Sequence, residues 1–287
     1  MFVIISTLEK QFHSERMLEQ LRNMPGMTWK AGIPKRFKGM SEEQVRAMLM
    51  KPGKQVPDFA KTRLVGAAPS SFSWLDEKPE CLKVRDQASC GSCWAFSSVG
   101  PFSDNRCIDK KDSKRVQYSE QYMVSCDTGN MGCDGGYLMM DQKFLKKTGV
   151  PTAACVSYKS GSNGVTGKCP TACDDGSKIT LTKSTGYENV CTNEESIKVA
   201  LTEGAVQTAF TVYSDFMYYE SGIYQHKSGY MEGGHAVTFV GYGEEKGTKY
   251  WLVRNSWGES WGENGYFRIL RGENECGIEN DCYLTKV

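Results

Sequence analysis

Twelve cysteines constrain this chain more than any other feature: Cys81, Cys90, Cys93, Cys107, Cys126, Cys133, Cys155, Cys169, Cys173, Cys191, Cys276 and Cys282. Such a density points to an oxidising compartment and a disulfide framework. A zinc site is the first rival, because Cys90 and Cys93 stand at finger-like spacing, with Cys126 and Cys133 as candidate partners. No second C-x2-C follows, and the chain has only three histidines, so zinc is disfavoured. A thioredoxin-like redox pair at Cys90-Gly91-Ser92-Cys93 reads better. It needs a βαβ context, and it leaves the other cysteines unexplained.

The cysteines also mark a boundary. Residues 1–68 hold none, and they carry 12 basic against 6 acidic residues, whereas the remainder carries 23 against 28. A basic segment ahead of an acidic body suggests two pieces that attract each other. We read residues 1–68 as a separable segment and 69–287 as the folded domain. The net charge of +1 gives no general argument for nucleic-acid binding. No apolar run approaches the roughly 20 residues that span a bilayer. Phe2-Val3-Ile4-Ile5 is short for a signal-peptide core, and Glu9-Lys10 follow closely.

The segment predicts a helix near Leu8 to Leu21. A second is predicted from Ser41, where Gln44 stands at capping-box spacing and Val45, Met48 and Leu49 form an apolar face. Lys51-Pro52-Gly53 should stop it, and 54–71 should be extended. Beyond residue 80 the first half reads as helical: Cys93 to about Phe102, a short helix opening at Ser119, and Tyr137 to Leu145. Asn193 caps a further helix that ends before Gly204. From Val206 the pattern changes to strands over 206–213, 235–241, 249–255 and 265–270, separated by Gly-rich turns. The expected fold is α+β, with a helical lobe set against a β lobe and a cleft between them.

The run Asp86-Gln87-Ala88-Ser89-Cys90-Gly91-Ser92-Cys93-Trp94-Ala95-Phe96 turns into a helix with Cys93 at its start. Unpaired amides and the positive end of the helix dipole favour thiolate there, which makes Cys93 a candidate nucleophile. Its partner must come from three histidines. His13 lies in the separable segment and His226 in a polar turn, which leaves His235, after Gly233-Gly234, at a strand start. Asn255 can accept a hydrogen bond from the imidazole, and a neutral amide suits a thiolate–imidazolium pair. Trp257 can shield that contact from water. Gln87 and the Cys93 amide can stabilise a tetrahedral oxyanion.

These residues resemble the papain-like cysteine peptidases, and the cathepsin B branch in particular. The Cys-Gly-Ser-Cys-Trp run is a local signature of that family, with histidine and asparagine far downstream. Cys133-Asp134-Gly135-Gly136, Gly234-His235-Ala236 and Asn255-Ser256-Trp257-Gly258-Glu259-Ser260-Trp261-Gly262 also match, and the resemblance runs from about Ala68. Val212-Tyr213-Ser214-Asp215-Phe216, Gly222 to His226, Ile269 to Gly272 and Thr28-Trp29-Lys30-Ala31-Gly32 resemble the cathepsin B branch.

The resemblance implies a papain-like two-lobed fold and a prosegment that crosses the cleft in reverse and blocks it. It makes Cys93 the nucleophile, His235 the base and then acid, Asn255 its orienting group and Gln87 an oxyanion donor. Gly135, Gly136 and Gly234 would meet the substrate backbone, and Trp261 would line the leaving-group side. Ala209, Ala236 and Asp281 would build the second specificity pocket, where an acidic residue admits arginine. It pairs Cys81 with Cys107, Cys90 with Cys133, Cys126 with Cys169 and Cys155 with Cys173. It leaves Cys191, Cys276 and Cys282 unassigned; a Cys191–Cys282 bridge with Cys276 a free thiol is one pairing open to them. No metal or cofactor is implied. The partners are protein and peptide substrates and the chain's own prosegment, the state is monomeric, and the address is lysosome-like or secreted.

Ala88 stands where glycine usually follows the oxyanion glutamine, and Asp134 replaces an asparagine. The stretch from Val156 to Lys168 contains no histidine, where cathepsin B carries a histidine-bearing occluding loop. An open cleft and endopeptidase action follow as expectations. The alternatives are dipeptide removal from C-termini, acyl transfer to an amine, and a non-catalytic homologue.

Overall fold

The computed structural model describes residues 12–51 and 60–287. The N-terminal segment contributes α1 (Glu15–Arg22), β1 (Trp29–Ala31) and α2 (Glu42–Arg46). The body opens with β2 (Phe72–Ser73) and α3 (Trp74–Glu77). It continues through α4 (Cys93–Ile108), α5 (Glu120–Cys126), α6 (Leu138–Lys147), β3 (Gly186–Asn189) and α7 (Glu194–Glu203). The strands β4 (Val206–Tyr213), β5 (Tyr219–Tyr224), β6 (Met231–Glu245), β7 (Thr248–Arg254), β8 (Tyr266–Leu270) and β9 (Cys282–Lys286) follow. The sheet order is β1-β5-β8-β7-β6-β4-β9-β3, with β2 paired to β6. The fold is mixed α+β, and after α7 it continues as strands β4 to β9, where the sequence pattern changes to strands.

Most differences from the sequence reading concern length. The capping box at Ser41 forms, with Ser41 N–H donating to Gln44 Oε1 at 2.9 Å and Gln44 N–H to Ser41 Oγ at 3.2 Å. Its helix ends at Arg46, so Met48 and Leu49 lie beyond it; Pro52 and Gly53 fall outside the described residues. The helix expected from Leu8 is described only from Glu15. Helix α4 runs past Pro101 to Ile108. Proline removes one interior hydrogen bond, but almost the whole helix is buried, and packing on every side outweighs that loss. Strand β6 is twice the expected length because β2, β4 and β7 all pair with it.

Disulfides join Cys81 to Cys107, Cys90 to Cys133, Cys126 to Cys169, Cys155 to Cys173 and Cys191 to Cys282. Cys93 and Cys276 are free. Cys90 is therefore unavailable as a redox partner of Cys93. Among the described residues no group of three or more His, Cys, Asp or Glu side chains is arranged to hold a metal ion, and no helix is long and apolar enough to cross a membrane.

Strand β1 extends the sheet edge, Trp29 standing opposite Gly222 and Ala31 opposite Tyr219. The Trp29 indole is buried against Tyr219 and Tyr224 and donates to Gln225 O at 2.9 Å. Further on, Met50 forms an antiparallel bridge with Gly234, and Lys51 N–H donates to Asp134 O at 3.3 Å. The segment thus joins the sheet at one end and lies over Gly233-Gly234 at the other.

Candidate active site

Cys93 is the first residue of α4 and is fully buried. The Ala236 amide, one residue after His235, donates to its Sγ at 3.4 Å. Burial pushes the thiol up to about 12, against the opposing pull of the Ala236, Trp94 and Cys93 amides. In this closed arrangement the sulfur holds its proton at neutral pH.

His235 lies on β6 and is also fully buried. Its Nε2 is 2.7 Å from Asn255 Oδ1. That oxygen also accepts from Ser256 N–H at 2.7 Å, which fixes the amide's orientation. An oxygen accepts only, so the imidazole carries its proton on Nε2 and leaves a lone pair on Nδ1. Nδ1 has no hydrogen-bond partner. It is the atom free to receive a proton, although no hydrogen bond links it to the sulfur here. Trp257 stacks on the imidazole at 4.5 Å between ring centres. Burial lowers the His235 pKa to about 4, opposed by the Asn255 contact.

Gln87 is fully buried, and its position is fixed at both ends. Its backbone N–H donates to Ser256 O at 2.9 Å, and Ser256 Oγ donates to its Oε1 at 2.7 Å. Its Nε2 donates to Cys90 O and to Met48 O, both at 2.8 Å. A carbonyl of the N-terminal segment therefore occupies the amide that the sequence reading assigns to an oxyanion. Ala88 adopts φ +50°, a left-handed conformation that costs an L-residue about 1–2 kcal/mol and glycine nothing.

The remaining candidates fall into two layers. Gly135 and Gly234 both meet Met50: a Cβ on either would come within 3.2 Å and 3.3 Å of its side chain. Gly136 serves packing instead, since a Cβ there would sit 2.6 Å from the Trp94 ring. Ala236 and the partly buried Ala209 line the same apolar cluster as Cys93, Leu138 and Tyr283, with Met50 packed against it. Asp281 approaches the Tyr283 side chain beside that cluster. Trp261 is fully buried among Phe216, Tyr219, Trp257 and Phe267, and the ring that meets the segment's Phe37 is Trp257. His226 contacts Asp215 at 3.1 Å and stacks on Tyr213, while His13 Nε2–H donates to Met217 O at 2.9 Å.

Sequence reading missed three contributors. Met48 acts through a backbone carbonyl, which no side-chain pattern reveals. Arg254 and Asp104 form a buried pair at 2.6 Å between the last residue of β7, which Asn255 directly follows, and α4, which Cys93 opens. Gly100 was its one available signal, because a Cβ there would sit 2.8 Å from the guanidinium. Tyr158 sits in the loop between Cys155 and Cys169, where its hydroxyl donates to Gln87 O.

A free cysteine heading a buried helix, beside a histidine–asparagine pair on a sheet, belongs to the class of cysteine proteases. The model of the papain family cysteine proteases matches residues 68–286. The chain belongs to that family, and within it is cathepsin B-like. It is 51% identical over 270 residues to "Cathepsin B-like CP2" of Giardia intestinalis, covering 89% of this chain and 88% of that one. It is 36% identical over 296 residues to "Cathepsin B-like cysteine proteinase 5" of Caenorhabditis elegans, covering 88% and 84%. Its structure matches procathepsin B S9 from Trypanosoma congolense with a TM-score of 0.88 at 26% identity, over 96% of this chain and 100% of that one.

Proposed function

We propose that the chain is a cysteine endopeptidase held latent by residues 1–68, with Cys93 and His235 as its reacting pair. The observation that carries this reading is the Gln87 amide bound to Met48 O, two residues before Met50 bridges Gly234. In hydrolysis, Cys93 Sγ loses its proton to His235 Nδ1 and attacks the scissile carbonyl. Gln87 Nε2 and the Cys93 amide receive the oxyanion. Collapse forms a thioester while the imidazolium gives its proton to the departing amine. His235 then takes a proton from water, which attacks the thioester; the C–S bond breaks, the acid leaves, and the Cys93 sulfur recovers the proton from the imidazolium. Asn255 keeps Nε2 protonated throughout.

A substrate bound along Gly135 with its carbonyl at Gln87 places its N-terminal side at Gly135. The segment reaches Gln87 at Met48 and Gly135 only at Met50, so it runs the other way and presents no cleavable bond. The stretch between Cys155 and Cys169 favours endopeptidase action: it has no histidine, and its Ser160 and Gly161 are buried under the Gln87 loop. Asp281 beside the Ala209–Ala236 cluster favours acceptance of arginine in the second pocket. Five disulfides support a secreted or lysosome-like address.

The test is activation of the full chain in acid, followed by internally quenched peptides and peptides with free C-terminal dipeptides. We expect internal cleavage, its loss in Cys93→Ala, and loss of arginine preference alone in Asp281→Ala. Dominant dipeptide release, or hydrolysis by Cys93→Ala, would overturn the reading.

A further inference from the structure

We propose that Tyr158 is a positioning residue for the oxyanion donor, acting through the backbone that carries Gln87 and Ser92; this rests on the catalytic reading above. Its hydroxyl donates to Gln87 O at 2.7 Å and lies 2.8 Å from Ser92 Oγ. One hydroxyl therefore ties the residue that bears the oxyanion donor to the N-cap residue of the nucleophile's helix. With the hydroxyl hydrogen given to Gln87 O, Ser92 Oγ–H must be the donor in the second bond.

The hydroxyl is itself rigidly held. The Tyr158 ring meets Phe96 edge-on at 4.8 Å. The following residues are fixed by Gln121, whose Oε1 accepts from Lys159 N–H at 2.7 Å and Ser160 N–H at 2.9 Å. Gly161 O then accepts from Ser89 N–H at 3.1 Å. A side chain on Gly161 would strike the Tyr158 ring at 2.8 Å and the Ala88 methyl at 3.0 Å. The loop above needs this support, because Ala88 holds a left-handed φ that alanine disfavours. Without the hydroxyl, Gln87 O loses a buried partner, and the 87–92 loop can relax with its side-chain donor displaced.

An oxyanion donor is worth about 10²–10³ in kcat when deleted outright. A displaced donor should cost less, so Tyr158→Phe should lower kcat by about 10-fold with KM little changed. The discriminating probe is a peptide aldehyde, whose tetrahedral adduct places an oxygen in the oxyanion site. Its inhibition of activated Tyr158→Phe should weaken by a similar factor. Alkylation of Cys93 by iodoacetamide reports the thiolate and uses no oxyanion, so its pH profile should match wild type.

Unchanged kcat and aldehyde inhibition in Tyr158→Phe would overturn the proposal. So would a parallel loss of aldehyde binding and alkylation, which would mark general loosening. Cys93→Ala separates this from the underlying reading. If that variant still hydrolyses peptides, the catalytic assignment fails, whatever Tyr158→Phe does.

Discussion

His235 sits 0% exposed beneath Trp257, with its proton directed to Asn255 and its other nitrogen unpaired. Burial lowers its pKa to about 4 from an ordinary 6.5. The sign of the linkage follows. A group held low in the closed form takes up a proton when the form opens, so closure is at full strength above about pH 6.5 and weakens as pH falls toward 4. The same burial pushes the Cys93 thiol up to about 12. Cys93 and His235 are thus both neutral under the segment, and the thiol is a poor nucleophile there, as the proposed latency requires. We expect iodoacetamide to alkylate Cys93 in the intact chain about 100-fold more slowly than in the processed enzyme at neutral pH, the thiolate fraction falling roughly tenfold per pKa unit. Equal rates would show that the segment does not mask the thiol.

At the level of elements, β1 is the segment's anchor. Its three residues alternate, with Trp29 and Ala31 buried against the sheet and Lys30 exposed. Losing a buried indole costs about 3–5 kcal/mol in a packed core, and here that cost falls on docking rather than on the body's own core. Trp29→Ala should therefore process near neutral pH, where the wild-type chain stays intact, as followed by the appearance of a shortened chain on gels. Persistence of full-length Trp29→Ala at the wild-type rate would place the anchor elsewhere. The sequence makes α5, α7 and β4 legible because caps and alternation mark them locally. It hides β1, β3, β5 and β9, each of which is a strand only through its partner. The same divide runs through the site. Cys93, His235, Asn255 and Gln87 are side chains within recognisable runs. Met48 O is a backbone atom, and Tyr158 is a loop residue whose role depends on a hydroxyl meeting a carbonyl 71 positions away.

Across the whole molecule the opposite charges of segment and body meet in ion pairs: Arg36 with Asp86, Lys51 with Asp134, Lys30 with Glu220, and Arg46 with Glu232. Lys51 and Lys30 are largely exposed, and such pairs contribute about 0–1 kcal/mol each. These two exposed pairs therefore steer the segment more than they lock it, whereas Arg46 reaches the buried Glu232. His13 acts differently. It packs between Phe37 and Tyr218 with its Nε2 at Met217 O, and burial lowers its pKa, the Met217 contact opposing. Closure through His13 is complete above its ordinary pKa and weakens as pH falls below it, the same sign as His235. A half-buried histidine on the segment and a buried one on the body, both held low, thus favour opening in acid. His13→Gln keeps an N–H at similar reach but takes no proton. We expect it to lower the pH of half-maximal processing by a few tenths of a unit, whereas about 1 M salt at neutral pH should leave the segment bound even though it screens the exposed pairs. If salt alone releases the segment, or if His13→Gln processes at the wild-type midpoint, the exposed charges and not His13 set the threshold.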